Sequence, residues 1–235
     1  MTDDGLVAAG DFRLFVSRTG VSDGAPVILL HGLGGDHTTW DRFAEHLGDR
    51  YQVLAVDQRG HGASDHADHY SFRALAEDVW RLADALGLDR VTLIGHSMGG
   101  LAALIAAQLQ PDRVAALVVE EAPPPVPLDR PDVEPPDQPT PYDFALINQL
   151  RAELRSPDPA NWSRLESITA PVLILAGGPT SALPQEPQAD VAGRIPDATF
   201  RTLPYGHGIH REEGHPAFCA AIDEFLGSRV HAARS

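Results

Sequence analysis

Short apolar or β-branched runs recur along the chain at residues 27–30, 53–56, 91–94, 114–119 and 172–175. Between them lie stretches with the 3.6-residue period of a helix, notably 72–86 and 98–109. A run without polar alternation is a strand covered on both faces, and strands that alternate with helices close into a parallel sheet through right-handed crossovers. This feature restricts the chain to the α/β class, with a mostly parallel central sheet and helices on both faces. Residues 12–17 read as an extra strand before the first crossover, 198–203 as a late extended run, and 216–226 as a closing amphipathic helix.

One stretch breaks the rhythm. Residues 121–143 hold nine prolines, each of which removes a backbone donor and disfavours helix at its predecessor, so no regular element runs through them. A helix is expected at 142–154, and strand character resumes at 172. Because both flanks belong to one sheet, the expected organisation is a single core from residues 1–122 and 166–235, with a small proline-rich lid insertion at 123–165.

The chemistry concentrates at Val91-Thr-Leu-Ile-Gly-His-Ser-Met-Gly-Gly100, a strand that runs into Gly95-His96-Ser97-Met98-Gly99 and then into an apolar helix. A sharp strand-to-helix turn crowds neighbouring backbones and leaves no room for a β-carbon on either side of the serine, which explains the flanking glycines. Ser97 is then presented at a helix N-terminus, where amides and helix dipole favour a developing negative charge. It is the candidate nucleophile.

With these motifs in this order, nearly the full chain resembles the α/β-hydrolase superfamily, in particular its small esterase-like members. The resemblance implies an oxyanion loop at His31-Gly32-Leu33-Gly34-Gly35, which follows the first buried strand. The backbone N–H groups of Leu33 and Met98 would then be the oxyanion donors. It also implies a catalytic histidine at Gly206-His207, after the late extended run and before the closing helix. His210 and His215 are close rivals that do not follow the glycine turn. His31 and His96 are expected to position loops, as are Asp57 and Arg59 of Asp57-Gln-Arg-Gly-His-Gly62. His66 and His69 read as solvated loop residues without enough neighbouring ligands for a metal.

The acid departs from the common pattern. Most relatives carry an aspartate after the penultimate strand, but Ala176-Gly-Gly-Pro-Thr-Ser-Ala-Leu-Pro184 holds no carboxylate. The preceding strand ends in Glu120-Glu121, a position that resembles the acid of the haloalkane dehalogenases in this one respect. Glu121 is therefore assigned as the acid, with Glu120 as the alternative and a serine–histidine dyad as the third possibility. The implied activity is hydrolysis of a small ester-, thioester- or lactone-like substrate through an acyl-enzyme on Ser97. A non-catalytic ligand-binding protein and a biosynthetic lyase or carbon–carbon hydrolase stay open, because this fold hosts several chemistries.

Composition narrows the partners. The 33 acidic and 18 basic residues give a formal charge of −15, which disfavours nucleic acid and anionic membrane surfaces. No run of about 18 apolar residues occurs and the start shows no leader pattern. With Cys219 the single cysteine, read as a small buried hydrophobe, a cytoplasmic location is expected. No metal or organic cofactor is implied, the expected partner is the small-molecule substrate, and nothing in the sequence sets the oligomeric state.

Overall fold

The computed structural model describes residues 4–232, so the outermost three residues at each end of the expected core lie outside it. The buried apolar runs form a single eight-stranded sheet. Its members are β1 (Gly5–Ala9), β2 (Phe12–Gly20), β3 (Ala25–Leu30), β4 (Tyr51–Val56), β5 (Val91–His96), β6 (Val114–Glu120), β7 (Val172–Ala176) and β8 (Ala198–Thr202). They lie in the order β1-β2-β4-β3-β5-β6-β7-β8. β1 pairs with β2, and β2 with β4, antiparallel, and every other neighbouring pair is parallel.

The uniform hydrophobicity of these strands follows from two separate cores. Along β3, Ile28 and Leu30 join one cluster, whereas Val27 and Leu29 join the other, as the two-residue side-chain period requires. The first cluster is covered by α2 (Phe72–Ala85), α3 (Met98–Leu109) and α6 (Gln185–Arg194). The second is covered by α1 (Asp41–Leu47) and α7 (His215–Ala232), whose Phe43, Phe218 and Ile222 are almost completely buried. Each fully buried aliphatic or aromatic side chain stabilises the fold by roughly 1.5–3 kcal/mol, so both layers bind the sheet firmly.

The structure extends the sequence reading in several places. The strand expected at 12–17 continues to Gly20 and forms a hairpin with β1, made possible by Gly10 at φ 70° in the two-residue turn. Helices α1 and α6 are short, and α6 carries Pro187 in its first turn, so neither shows strong periodicity. The closing helix exceeds its expected bounds at both ends.

Between β6 and β7 lie α4 (Ala145–Arg155) and a five-residue helix α5 (Pro159–Ser163). α4 begins three residues later than the expected 142–154 because Tyr142 is held in an isolated bridge to His61, while the Asp143 carboxylate accepts the Ala145 N–H. The proline-rich chain before it has no helix or strand. It is clamped nonetheless: Val133 and Asn148 exchange two hydrogen bonds, Arg151 donates to the Pro131 carbonyl at 2.6 Å, and Arg155 donates to Arg130 O and to Asp132. Leu146, Ile147 and Leu150 of α4 pack into the first core.

Candidate active site

The turn between β5 and α3 carries Ser97 at φ 51° and ψ −115°, a conformation that side-chain-bearing residues adopt only when their surroundings impose it. Both flanking glycines are compulsory. A β-carbon on Gly95 would lie 2.3 Å from the Gly99 carbonyl oxygen, and one on Gly99 would lie 2.4 Å from that of Leu30. The turn is further pinned by Ser97 N–H to Glu120 O at 2.9 Å and Gly99 N–H to His31 O at 3.2 Å.

The loop after β8 brings His207 over this turn, with Nε2 3.0 Å from Ser97 Oγ. On its other side His207 Nδ1 lies 3.2 Å from Glu121 Oε2. An N–H at Nδ1 donates to that carboxylate, so the Nε2 lone pair faces the serine hydroxyl. Glu121 leaves strand geometry at φ 48°, and its side chain is fully buried. Burial pushes its pKa up, but hydrogen bonds from His207, Ser181, Gly177 N–H and Gln185 outweigh it and hold the carboxyl below its ordinary range. The segment after β7 that lacks the usual aspartate thus supplies donors to this glutamate instead. The sequence reading missed Ser181, Gln185 and Gln188; a hydroxyl and two amides beside an acid-free loop were the available signal.

Glu120 is buried as well. It accepts the His210 N–H at 2.9 Å and His210 Nδ1–H at 2.7 Å. Arg211 Nε–H donates to the remaining nitrogen of that ring at 3.2 Å, and His96 Nε2–H donates to the His207 carbonyl at 2.6 Å. Adjacent residues at the end of β6 therefore serve two histidines of one loop: Glu121, just past the strand, meets His207, while Glu120 and His96 hold the backbone on which His207 sits. Burial lowers the pKa of His96 to about 4, so it is neutral near pH 7. His215 donates to the His210 carbonyl from Nδ1 and meets the Cys219 sulfur at Nε2, so both of its ring nitrogens are engaged away from Ser97.

The His31 loop borders Ser97 on the opposite side. His31 Nδ1–H donates to Gly32 O, and its Nε2 accepts the Gln58 N–H; burial lowers its pKa to about 3. His61 accepts the Gly34 N–H at 3.2 Å. Leu33 lies within this tight turn, closed by Gly35 N–H to Gly32 O, and Met98 opens α3, where a first-turn N–H has no intrahelical acceptor. Both residues line a cavity of about 320 Å³ above Ser97 and His207, walled by Phe72, Ile147, Leu150 and Leu154.

Asp57 accepts from the backbone of His37 and Ala63, and Arg59 forms a buried ion pair with Asp78, so this motif ties loops together. His66 stands 3.9 Å from Asp143. Burial pushes the Cys219 thiol up to about 11, which keeps it protonated. Among the described residues, two groups have spacing compatible with a metal ion, His96–Glu120–His210 and Asp36–His37–Asp57. In both, the carboxylates and imidazoles already hydrogen-bond to protein partners. No helix among the described residues is long and apolar enough to cross a membrane.

Residues 25–151 match the family model described as the alpha/beta hydrolase fold. RutD of Caulobacter sp. (strain K31), named as a candidate carbamate hydrolase, is 30% identical over 89% of this chain and 93% of its own length. Esterase YbfF of Escherichia coli K12 is 27% identical over 86% and 93%. The crystal structure of an E-2-(acetamidomethylene)succinate hydrolase superposes with a TM-score of 0.81 and 22% identity, covering 97% of this chain and all of that one. With more than half of the chain matched by the model and RutD aligned along nearly its full length, this protein belongs to the alpha/beta hydrolase fold family and is a hydrolase.

Proposed function

We propose that the protein hydrolyses a small ester, thioester or lactone through an acyl-enzyme on Ser97. The observation that carries this reading is the single line of hydrogen-bonding atoms from Glu121 Oε2 through the His207 ring to Ser97 Oγ, opening onto a cavity. Ser97 Oγ attacks the substrate carbonyl carbon as its proton passes to His207 Nε2, and the buried Glu121 carboxylate stabilises the resulting imidazolium. The N–H groups of Leu33 and Met98 receive the oxyanion. As the tetrahedral species collapses, Nε2–H protonates the departing alkoxide or thiolate. Water then attacks the acyl-enzyme, giving its proton to Nε2, and that proton returns to Ser97 Oγ as the carboxylic acid leaves. Residues 123–165 act as the lid, since Pro123, Arg130 and four side chains of α4 wall the cavity. The carboxylate-free loop after β7 no longer favours a non-catalytic ligand-binding protein, because Glu121 reaches His207 from just beyond the end of β6.

The test combines a fluorophosphonate probe with a panel of short-chain esters, thioesters and lactones. Labelling is expected on Ser97 and lost in Ser97→Ala, with hydrolysis reduced roughly 10³-fold or more in that variant and in His207→Ala. A folded Ser97→Ala protein that retains turnover would overturn the mechanism.

A further inference from the structure

The chain contains no lysine, so its 18 basic residues are all arginine and the choice of arginine over lysine at any position says nothing. Their placement does. Arg13, Arg50, Arg59, Arg113 and Arg201 are each paired with a carboxylate. Arg130, Arg151 and Arg211 line the cavity over Ser97, and none of the three forms an ion pair among the described residues. No acidic residue among the described ones lines that cavity.

Each of these arginines is held in place by a neutral acceptor: Arg130 by Ala182 O at 3.4 Å, Arg151 by Pro131 O at 2.6 Å, and Arg211 by His210 Nε2 at 3.2 Å. A guanidinium carries five N–H donors, so such anchoring uses a small part of its capacity and leaves the positive charge unmatched. Arg130 and Arg151 are half-buried and Arg211 is exposed, so water solvates the three charges until an anion enters the cavity and meets guanidinium groups with free N–H donors. A protein of net charge −15 repels anions at long range, so a cationic cavity within it singles out one place where an anion is accepted.

We propose that Arg130, Arg151 and Arg211 form a carboxylate-recognition site, and that the substrate is an acyl compound bearing a free carboxylate remote from the scissile carbonyl. The reacting carbonyl sits at Ser97, the apolar wall of Phe72, Ile147, Leu150 and Leu154 takes a short carbon chain, and the guanidinium groups take the carboxylate, bidentate where the fork allows. This assignment rests on the acyl-transfer reading for which end of the substrate reacts, but the anion site stands on the arginines alone.

Two experiments separate these dependences. The first compares kcat/KM for the p-nitrophenyl hemiester of glutaric acid with its methyl-capped diester. The wild type should prefer the anionic ester by tenfold or more, a preference that weakens with salt. Arg130→Gln and Arg151→Gln should each reduce that ratio by about tenfold, mainly through the KM of the anionic ester, the loss expected for one charge-assisted contact. Partial rescue by Arg151→Lys would mark the effect as charge and not loop packing. The second measures, by calorimetry, glutarate and the neutral glutaramide binding to Ser97→Ala. Glutarate should bind selectively and lose affinity when Arg130 or Arg151 is changed to Gln. Selective glutarate binding with no ester turnover would retain the anion site and remove the acyl-transfer reading. Turnover of both esters with equal efficiency, and no selective glutarate binding, would overturn the anion site and leave the hydrolase mechanism in place.

Discussion

Replacing Glu121 by glutamine tests the geometry most sharply, because every hydrogen-bonding neighbour of that carboxylate is a donor. Oε1 faces Gly177 N–H at 2.5 Å and the amides of Gln185 and Gln188 at 3.2 and 3.4 Å, while Oε2 faces the Ser181 hydroxyl and His207 Nδ1. A glutamine must therefore aim its NH2 group at donors whichever way it turns. On the Oε1 side it meets a backbone N–H that cannot reverse. On the Oε2 side it meets a hydroxyl that can rotate and an imidazole that can exchange tautomers, so the NH2 group turns that way. His207 then accepts at Nδ1 and carries its proton on Nε2, 3.0 Å from Ser97 Oγ, where it no longer serves as a base. A wrong tautomer in such a triad costs about 10³–10⁴ in kcat, or roughly 4–5.5 kcal/mol of transition-state stabilisation. The assay is steady-state hydrolysis of an ester turned over by the wild type, with thermal melting to show that the variant is folded. KM should change little, because the carboxylate acts through the imidazole and does not touch substrate. A folded Glu121→Gln enzyme with kcat within tenfold of wild type would refute the reasoning.

Glu120→Gln should act differently. Its carboxylate is held below the ordinary range against burial by His210, which gives it two hydrogen bonds, so the loss falls on stability, about 1–3 kcal/mol in urea melts at pH 7, with kcat reduced less than tenfold. A kcat loss as large as that of Glu121→Gln would show that Glu120 is the acid. His31 and His96 have folded pKa values lowered by burial to about 3 and 4, so below pH 6.5 the unfolded chain binds protons that the folded protein refuses. Stability should be independent of these groups above pH 6.5 and fall as pH drops from there toward 4, with a slope of up to about 1.4 kcal/mol per pH unit for each. Flat stability between pH 6.5 and 5 in urea titrations would contradict their burial as neutral rings. Gly95→Ala should give little or no folded protein by circular dichroism, since its β-carbon would meet the backbone of Gly99 and Gly100 within 2.7 Å; a folded, active variant would show that the turn can open.

Features set by neighbours in the chain were legible from the sequence alone. Two-sided burial shows as unbroken apolar runs, so five strands of the parallel sheet could be read directly, as could the helices α2 and α3 on either side of β5. The Ser97 turn is equally local, because the glycines it demands lie two residues to either side. What the tertiary structure decided was convergence. His207 and Ser97 are 110 residues apart, and nothing in local periodicity chooses among eleven histidines or between Glu120 and Glu121. Which of the two glutamates meets His207 depends on where the chain leaves the strand. In the fold, Glu121 has left the strand at φ 48°, and the 207–210 loop offers each glutamate its own histidine. Ser181, Gln185 and Gln188 around Glu121, and the gathering of Arg130, Arg151 and Arg211 over the serine, were invisible for the same reason. Hydrogen-bond partners and fields depend on distances across the fold, and those are set by how the sheet and its helices close on one another, not by spacing along the chain.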